Sequence, residues 1–163
     1  IMCGKVLQPH QIDIRFIGSS EWEEAVSLVY SVFIKFDAPE FTEEGIKHFR
    51  DFLRDNYLKR MFEEGYLDVI GAYSQGKLVG VIALRNDNHI SLLFVDGDYH
   101  NNGIGSRLFY SAADYARLKL KQEILTVNSS PYAVGFYHSL GFKDRSGAVT
   151  QDGIIYTPME YRL

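Results

Sequence analysis

The sequence predicts a single mixed α/β domain, an α+β sheet of about seven mostly antiparallel strands with one parallel pair at its centre and about four helices. Three observations predict it. Strand and helix periodicities alternate along the chain, without repeats, low-complexity segments or linkers. A strand–helix–strand unit, Ile90 to Val95, then Ile104 to Ala116, then Glu123 to Val127, has the length that a parallel, right-handed crossover needs. Two turn signals, Gln75–Gly76 and Gln151–Asp152–Gly153, mark hairpins between antiparallel neighbours.

The elements follow in order. Ile12, Ile14 and Phe16 alternate with Asp13 and Arg15, the pattern of a half-buried strand. Ser19 or Ser20 then caps a helix with Glu21, Glu23 and Glu24 in its first turn, running into Phe33. Thr42–Glu43–Glu44 opens a second helix, with Ile46, Phe49, Leu53, Tyr57 and Met61 on its apolar face. Leu67 to Tyr73 and Leu78 to Leu84 are paired strands. Ile90 to Val95 is apolar on both faces, which predicts a central strand covered on both sides. A third helix carries Ile104, Leu108, Phe109, Ala112 and Ala116 on one face. Pro131 starts a short helix through Tyr137 and His138 that Gly141 stops. Phe142 onwards and Ile154 to Leu163 form the last hairpin.

Length and composition bound the class. A chain of 163 residues, 46 % hydrophobic, suffices for one domain (1–163, with 1–11 expected to be a flexible N-terminus) that buries a core unaided. Net charge is −4 and the sequence pI about 5.7, with Lys and Arg scattered, which argues against a nucleic-acid surface. The lone Cys3 forms no internal disulfide, consistent with a reducing cytoplasm. No apolar run approaches the roughly 20 residues of a membrane span, and no signal-peptide pattern is present, so the expected location is cytoplasmic and no membrane partner is expected. His48, His100 and His138 have no metal-ligand spacing, so no metal is expected.

Chemistry concentrates after the central strand. Tyr99–His100–Asn101–Asn102–Gly103–Ile104–Gly105–Ser106–Arg107 reads as a loop opening directly into a helix. Such a loop gathers unpaired amides and the positive end of a helix dipole, which suits a phosphate group. Gly103 and Gly105 are expected to supply backbone freedom and close approach. A dinucleotide fold would want a third glycine where Leu108 stands, and an acid at the end of the next strand, where Val127–Asn128 stands instead. A lone G-x-G is weak evidence, and this loop follows the fourth strand of a largely antiparallel run.

A second cluster, Leu125–Thr126–Val127–Asn128–Ser129–Ser130–Pro131–Tyr132–Ala133–Val134–Gly135–Phe136–Tyr137–His138–Ser139–Leu140–Gly141–Phe142, decides between the readings. Together the two resemble the GCN5-related N-acetyltransferase (GNAT) superfamily. Its phosphate loop has the form R/Q-x-x-G-x-G/A, here His100 to Gly105. Its later signature is a strand ending near Asn, then A-x-x-F-Y-x-x-x-G-F, here Asn128 and Ala133 to Phe142. The match is strong over residues 78–142, and the element order is compatible across about 12–163. Two positions depart from the pattern: His100 stands where Arg or Gln is usual, and Asn102 where Lys or Arg is common.

The resemblance implies an acetyl-CoA-dependent N-acetyltransferase, moving the acetyl group to an amine of a small molecule or peptide by direct attack in a ternary complex. Acetyl-CoA is then a cosubstrate, and no nucleic acid is involved; a homodimer is left open. The strand His89 to Val95 splays from the parallel strand beginning near Glu123, and its exposed edge pairs with the pantetheine arm. Backbone N–H groups at Leu93, Phe94 and Val95 face the oxyanion. His100, Asn101, Asn102, Gly103, Ile104, Gly105 and Ser106 hold the pyrophosphate, with Asn128 and Ser130 on the cofactor. Tyr137 protonates the leaving thiolate. An amine of pKa about 10.4 is neutral in only about one molecule in 2,500 at pH 7, so a base is useful, and His89 acting through water is the candidate. Each has a plainer alternative. Tyr137 is otherwise a core aromatic beside Phe136, Asn128 a strand end, and His89 a hydrogen-bonded surface histidine. Glu43 and Glu44 are expected at a helix N-terminus for stability alone. Phe33, Phe36 and Phe41 lie where relatives form the acceptor pocket, and Asp37, Glu40, Glu43 and Glu44 nearby hint at a cationic acceptor. Two other functions compete: a catalytically silent acyl-CoA-binding sensor or interaction module, and a nicotinamide-dependent oxidoreductase.

Overall fold

The computed structural model describes residues 11–163. Cys3 and nearly all of the expected N-terminal segment lie outside the described residues. Eight strands form one sheet in the order β1–β2–β3–β4–β5–β8–β6, with β7 pairing β8 off this path. They are β1 Ile12–Phe16, β2 Leu67–Ser74, β3 Lys77–Arg85, β4 His89–Val95, β5 Ile124–Ser129, β6 Lys143–Asp144, β7 Val149–Gln151 and β8 Ile154–Arg162. The helices are α1 Trp22–Phe36, α2 Glu43–Arg54, α3 Asn56–Glu64, α4 Ile104–Leu118 and α5 Val134–Leu140. Every pairing is antiparallel except β4 with β5. The fold class is the expected one, with eight strands and five helices where about seven and four were anticipated.

The extra elements have local causes. The second helix breaks at Asp55, whose extended backbone ends α2 and whose carboxylate accepts from the Tyr57 amide at 2.9 Å, capping α3. The break resets the helical phase: Leu58 is buried and Tyr57 is 65 % exposed, contrary to its place on the expected apolar face. The first helix starts later than either serine predicts. Ser19–Glu21 is a 3₁₀ turn, and the Glu21 carboxylate reaches back to the Gly18 amide at 2.8 Å. Glu21 also accepts from Arg15 at 3.0 Å and Tyr73 at 2.6 Å, which holds its carboxyl down at about 2. The last hairpin splits because β8 is long: β7 pairs Ile154 to Tyr156, and β6 pairs Met159 and Glu160.

Two apolar layers sandwich the sheet. On one side α4 seats Ile104, Leu108, Phe109, Ala112 and Ala116 against β1 to β5, together with Tyr137 and Phe142. On the other, Trp22, Ala25 and Val29 of α1 join Leu53, Leu58 and Met61 over Val69, Val81 and Leu92. β4 serves both layers. A register shift opposite Ala83/Leu84 leaves Ser91 out of the pairing, so Leu92 and Phe94 face α1 and α2 while Leu93 and Val95 face α4. The expectation that β4 is covered on both sides holds only for Ile90 and Leu92; from Leu93 to Val95 the strand is half-exposed.

Candidate functional site

That half-exposure comes from the pairing of β4 with β5. The two strands bridge only at His89 with Thr126 and Ile90 with Val127, after which they part. β5 continues on its other side with β8 through Ser129–Thr157, and β4 with β3 through Val95–Gly80. Each strand is held by its outer neighbour while the middle opens. The edge of β4 beyond Ile90 therefore carries backbone groups without a partner strand. A cleft of about 640 Å³ fills the gap, lined from both layers of the domain.

The phosphate-type loop lies at the C-terminal end of β4. Asp96 caps a 3₁₀ turn at Gly97–Tyr99 by accepting from the Asp98 amide at 2.9 Å. The chain then turns through two left-handed residues, Asn101 (φ 62°) and Gly103 (φ 72°). Gly103 is the N-cap of α4, and no side chain caps the helix. The helical ladder begins with Arg107 N–H donating to the Gly103 carbonyl at 3.0 Å, so the amides of Ile104, Gly105 and Ser106 precede it. Those three residues line the cleft, with Asn101 and Gly103. Gly103 supplies the positive φ that the loop was expected to need. Gly105 does not: it is helical, and its role is spatial, since a Cβ there would stand 3.3 Å from the Phe136 ring. No described helix is long and apolar enough to cross a membrane.

Of the fourteen site residues expected from sequence, twelve line this one cleft: Leu93, Phe94, Val95, His100, Asn101, Gly103, Ile104, Gly105, Ser106, Asn128, Ser130 and Tyr137. Asn102 does not; its side-chain amide folds back onto the carbonyls of Tyr99 (3.2 Å) and His100 (3.0 Å), bracing the loop from behind. His100 Nε2 lies 2.7 Å from the Val95 carbonyl, and its ring packs 4.7 Å from Phe36. It ties the loop to the strand end, a different task from that of a long cationic side chain. Tyr137 is buried, wedged between Phe136 (5.4 Å) and Phe142 (5.1 Å). Burial, with the nearby Asp37 charge, pushes its phenol well above the ordinary value and keeps it protonated.

His89 stands apart from these residues. It precedes the point where the strands part, its Nδ1 lies 2.8 Å from Thr126 Oγ1, and it is not among the lining residues. Burial, reinforced by Arg85, lowers its pKa from 6.5 to about 4. The unfolded chain therefore binds this proton more readily between those values. The stability that the neutral ring contributes is full above pH 6.5 and is lost as pH falls through 4. His89→Gln should flatten the pH dependence of melting temperature across that window; an unchanged slope would show that the ring is not buried neutral.

Sequence reasoning gave two lining groups no place in the site and did not single out a third. Ser91, displaced by the register shift, has a buried hydroxyl with no hydrogen-bond partner among the described residues. Ile154, Ile155 and Tyr156 of β8 close the far wall. Asp37, which stood only as one of four nearby acids, enters alone: it is buried and accepts from Ser130 Oγ at 2.8 Å. Glu40, Glu43 and Glu44 are exposed and line nothing, so the first turn of α2 keeps its plain structural role.

A mixed sheet with one parted parallel pair, an uncapped helix beside the opening and a buried tyrosine opposite is the arrangement of the GNAT fold. The acetyltransferase (GNAT) domain model matches residues 37–163, and the chain belongs to that family. Among solved structures, a GCN5-related N-acetyltransferase from Rhodopseudomonas palustris superposes with a TM-score of 0.80 at 22 % identity, covering 93 % of this chain and 95 % of that one. PaiA N-acetyltransferase from Thermoplasma acidophilum, solved in complex with coenzyme A, gives 0.76 at 20 %, covering 93 % and 99 %. A UPF0039 protein from Schizosaccharomyces pombe is 30 % identical over 95 residues, 55 % of this chain. That match spans 63 % of the yeast protein's length.

Proposed function

We propose that the protein transfers the acetyl group of acetyl-CoA to an amine, by direct attack while both substrates are bound. The observation that carries this reading is the parting of β4 from β5 after Ile90, directly beside the uncapped start of α4. The chain's groups fit the cosubstrate in sequence. The amides of Gly103 to Ser106 receive the pyrophosphate at the positive end of α4. His100 and Asn101 shape that end of the cleft. The free edge of β4 from Leu93 to Val95 pairs with the amide-bearing pantetheine arm, and an N–H on that edge stabilises the oxyanion. Asn128 of β5 and Ser130, just beyond its end, contact the arm. Tyr137 enters as a neutral phenol and gives its proton to the departing sulfur.

The test is binding followed by turnover. At a concentration of 100 times its Kd, acetyl-CoA should stabilise the fold by about 2.7 kcal/mol. For a chain of this size that is a melting-temperature rise of roughly 5–11 °C. An acceptor screen with thiol detection should then show free CoA. No shift with millimolar acetyl-CoA beside a clear shift with NAD would overturn the assignment. A shift without turnover on any amine would leave a CoA-binding module.

A further inference from the structure

We infer that Asp37 is the base that takes the proton of the acceptor's ammonium group, and that the acceptor is a primary amine carried on an apolar, ring-sized body. This rests on the transferase reading above and supplies its acceptor half.

The argument starts from the cost of burying a carboxylate. Asp37 is the one buried charged residue among those described, with 7 % of its surface exposed. A buried carboxylate needs a cation or several donors. Asp37 has neither: none of the ion pairs among the described residues includes it. Its Oδ1 accepts from Ser130, and its Oδ2 accepts no hydrogen bond from any described side chain. Local sequence explains the placement. The Asp37 amide closes α1 on the Phe33 carbonyl at 2.9 Å, and Pro39 in the following 3₁₀ turn prevents the helix from continuing past the cleft. An ammonium group arriving in the cleft is the partner this carboxylate lacks.

The walls select what carries that ammonium. Phe33 packs against Phe49 at 4.0 Å and Phe41 at 5.4 Å, and Phe49 meets Phe94 at 5.9 Å. All four rings and Ile155 line the cleft. Apolar walls around a single charged group are the usual composition of a small-molecule site. A second ammonium, as in a polyamine, finds no second carboxylate in the lining.

Asp37 is also suited to the proton. Burial raises its carboxyl above the usual range, the Ser130 bond opposes this, and Glu40 adds to the rise. A weaker carboxylic acid is a stronger base. Asp37 Oδ2 takes one proton from the ammonium, and the freed lone pair forms the C–N bond at the thioester carbonyl. When the adduct collapses the C–S bond breaks, and sulfur leaves with its electron pair and the Tyr137 proton. The second proton on the former amine returns through water to Tyr137, and the Asp37 proton goes to solvent. The Asp37 charge adds to the burial that holds the Tyr137 phenol protonated.

The test uses CoA-loaded protein and three probes. By calorimetry, wild type should bind 2-phenylethylamine at least tenfold more tightly than either 2-phenylethanol or spermidine. Equal affinity for the alcohol would overturn the ammonium site, and tighter spermidine would overturn the substrate class. Asp37→Asn keeps the acceptor for Ser130 and removes a buried charge, so its melting temperature should equal or exceed that of wild type. It should lose at least tenfold in 2-phenylethylamine affinity with CoA affinity unchanged. With acetyl-CoA, its kcat/KM should fall about 10²–10⁴-fold at pH 7. The deficit should shrink about tenfold per unit towards pH 9, as the free amine loses its own proton. A deficit independent of pH, or none, would overturn the base. Asp37-dependent amine binding without turnover in wild type would instead overturn the transferase reading and leave the amine site standing.

Discussion

Tyr137→Phe should lower kcat about 10²-fold while leaving KM for acetyl-CoA and the melting temperature close to wild type. The phenylalanine ring keeps the edge contacts with Phe136 and Phe142, so packing is retained. What is lost is one hydroxyl in a buried position. General acid catalysis contributes typically 10²–10⁴-fold, and a thiolate is a fairly good leaving group, which places the expectation at the lower end. The interaction strengthens mainly in the transition state, so the loss belongs in kcat. A tyrosine that only packs predicts near-normal turnover. Steady-state kinetics on an accepted amine, with kcat within twofold of wild type, would remove Tyr137 from the mechanism.

Gly105→Val should weaken CoA binding at least tenfold in a protein that still folds. Of the two contributions expected of Gly105, backbone freedom does not hold, because the left-handed positions of the loop are Asn101 and Gly103. The effect comes from space. A Cβ at Gly105 already comes to 3.3 Å from the Phe136 ring and 3.9 Å from Val95, and valine adds two methyl groups beside the amides of the first turn. Those methyls screen the N–H groups from a pyrophosphate and crowd the ring across the cleft. Valine in a first helical turn costs little in propensity, so the apo fold survives. Calorimetry on a folded variant decides; unchanged affinity would mean that the phosphates bind elsewhere.

The parts of this molecule legible in its sequence are those set by short-range pattern. Alternation marked β1, the Gln75–Gly76 turn signal set off β2 and β3, a continuous apolar run marked β4, the four-residue spacing of Ile104, Leu108, Ala112 and Ala116 marked α4, and the two glycines marked the loop. Gly141 stops α5 in a left-handed conformation, as anticipated (φ 106°). The illegible parts depend on contacts distant in the chain. Asp55 ended a helix whose apolar spacing ran on without interruption, because a side-chain cap outweighed periodicity there. Asp37 resembled its neighbours Glu40, Glu43 and Glu44 until the fold brought Ser130, 93 residues away, against it. Its place at the head of the central strand makes His89 a candidate base in the sequence. Its position along that strand, before or after the parting from β5, is a matter of pairing that a single strand's sequence does not encode.

An unpaired strand edge is ordinarily a hazard, since any extended chain can add to it. Proteins blunt such edges with charge, proline or a covering helix. The edge of β4 beyond Ile90 carries none of these on its own residues, Ser91 to Val95. Its protection is steric. Because β5 diverges from a point two residues into the strand, the edge lies inside the sheet, in a slot that narrows towards Ile90 and Val127. A neighbouring protein cannot bring a second strand, with its side chains on both faces, into that slot. A slender thread of amides and methylenes can. The same divergence therefore admits ligands by cross-section and keeps the molecule from polymerising through its own middle, so filling the slot with bulk, for instance by Ser91→Trp, should abolish cofactor entry without creating an aggregating edge.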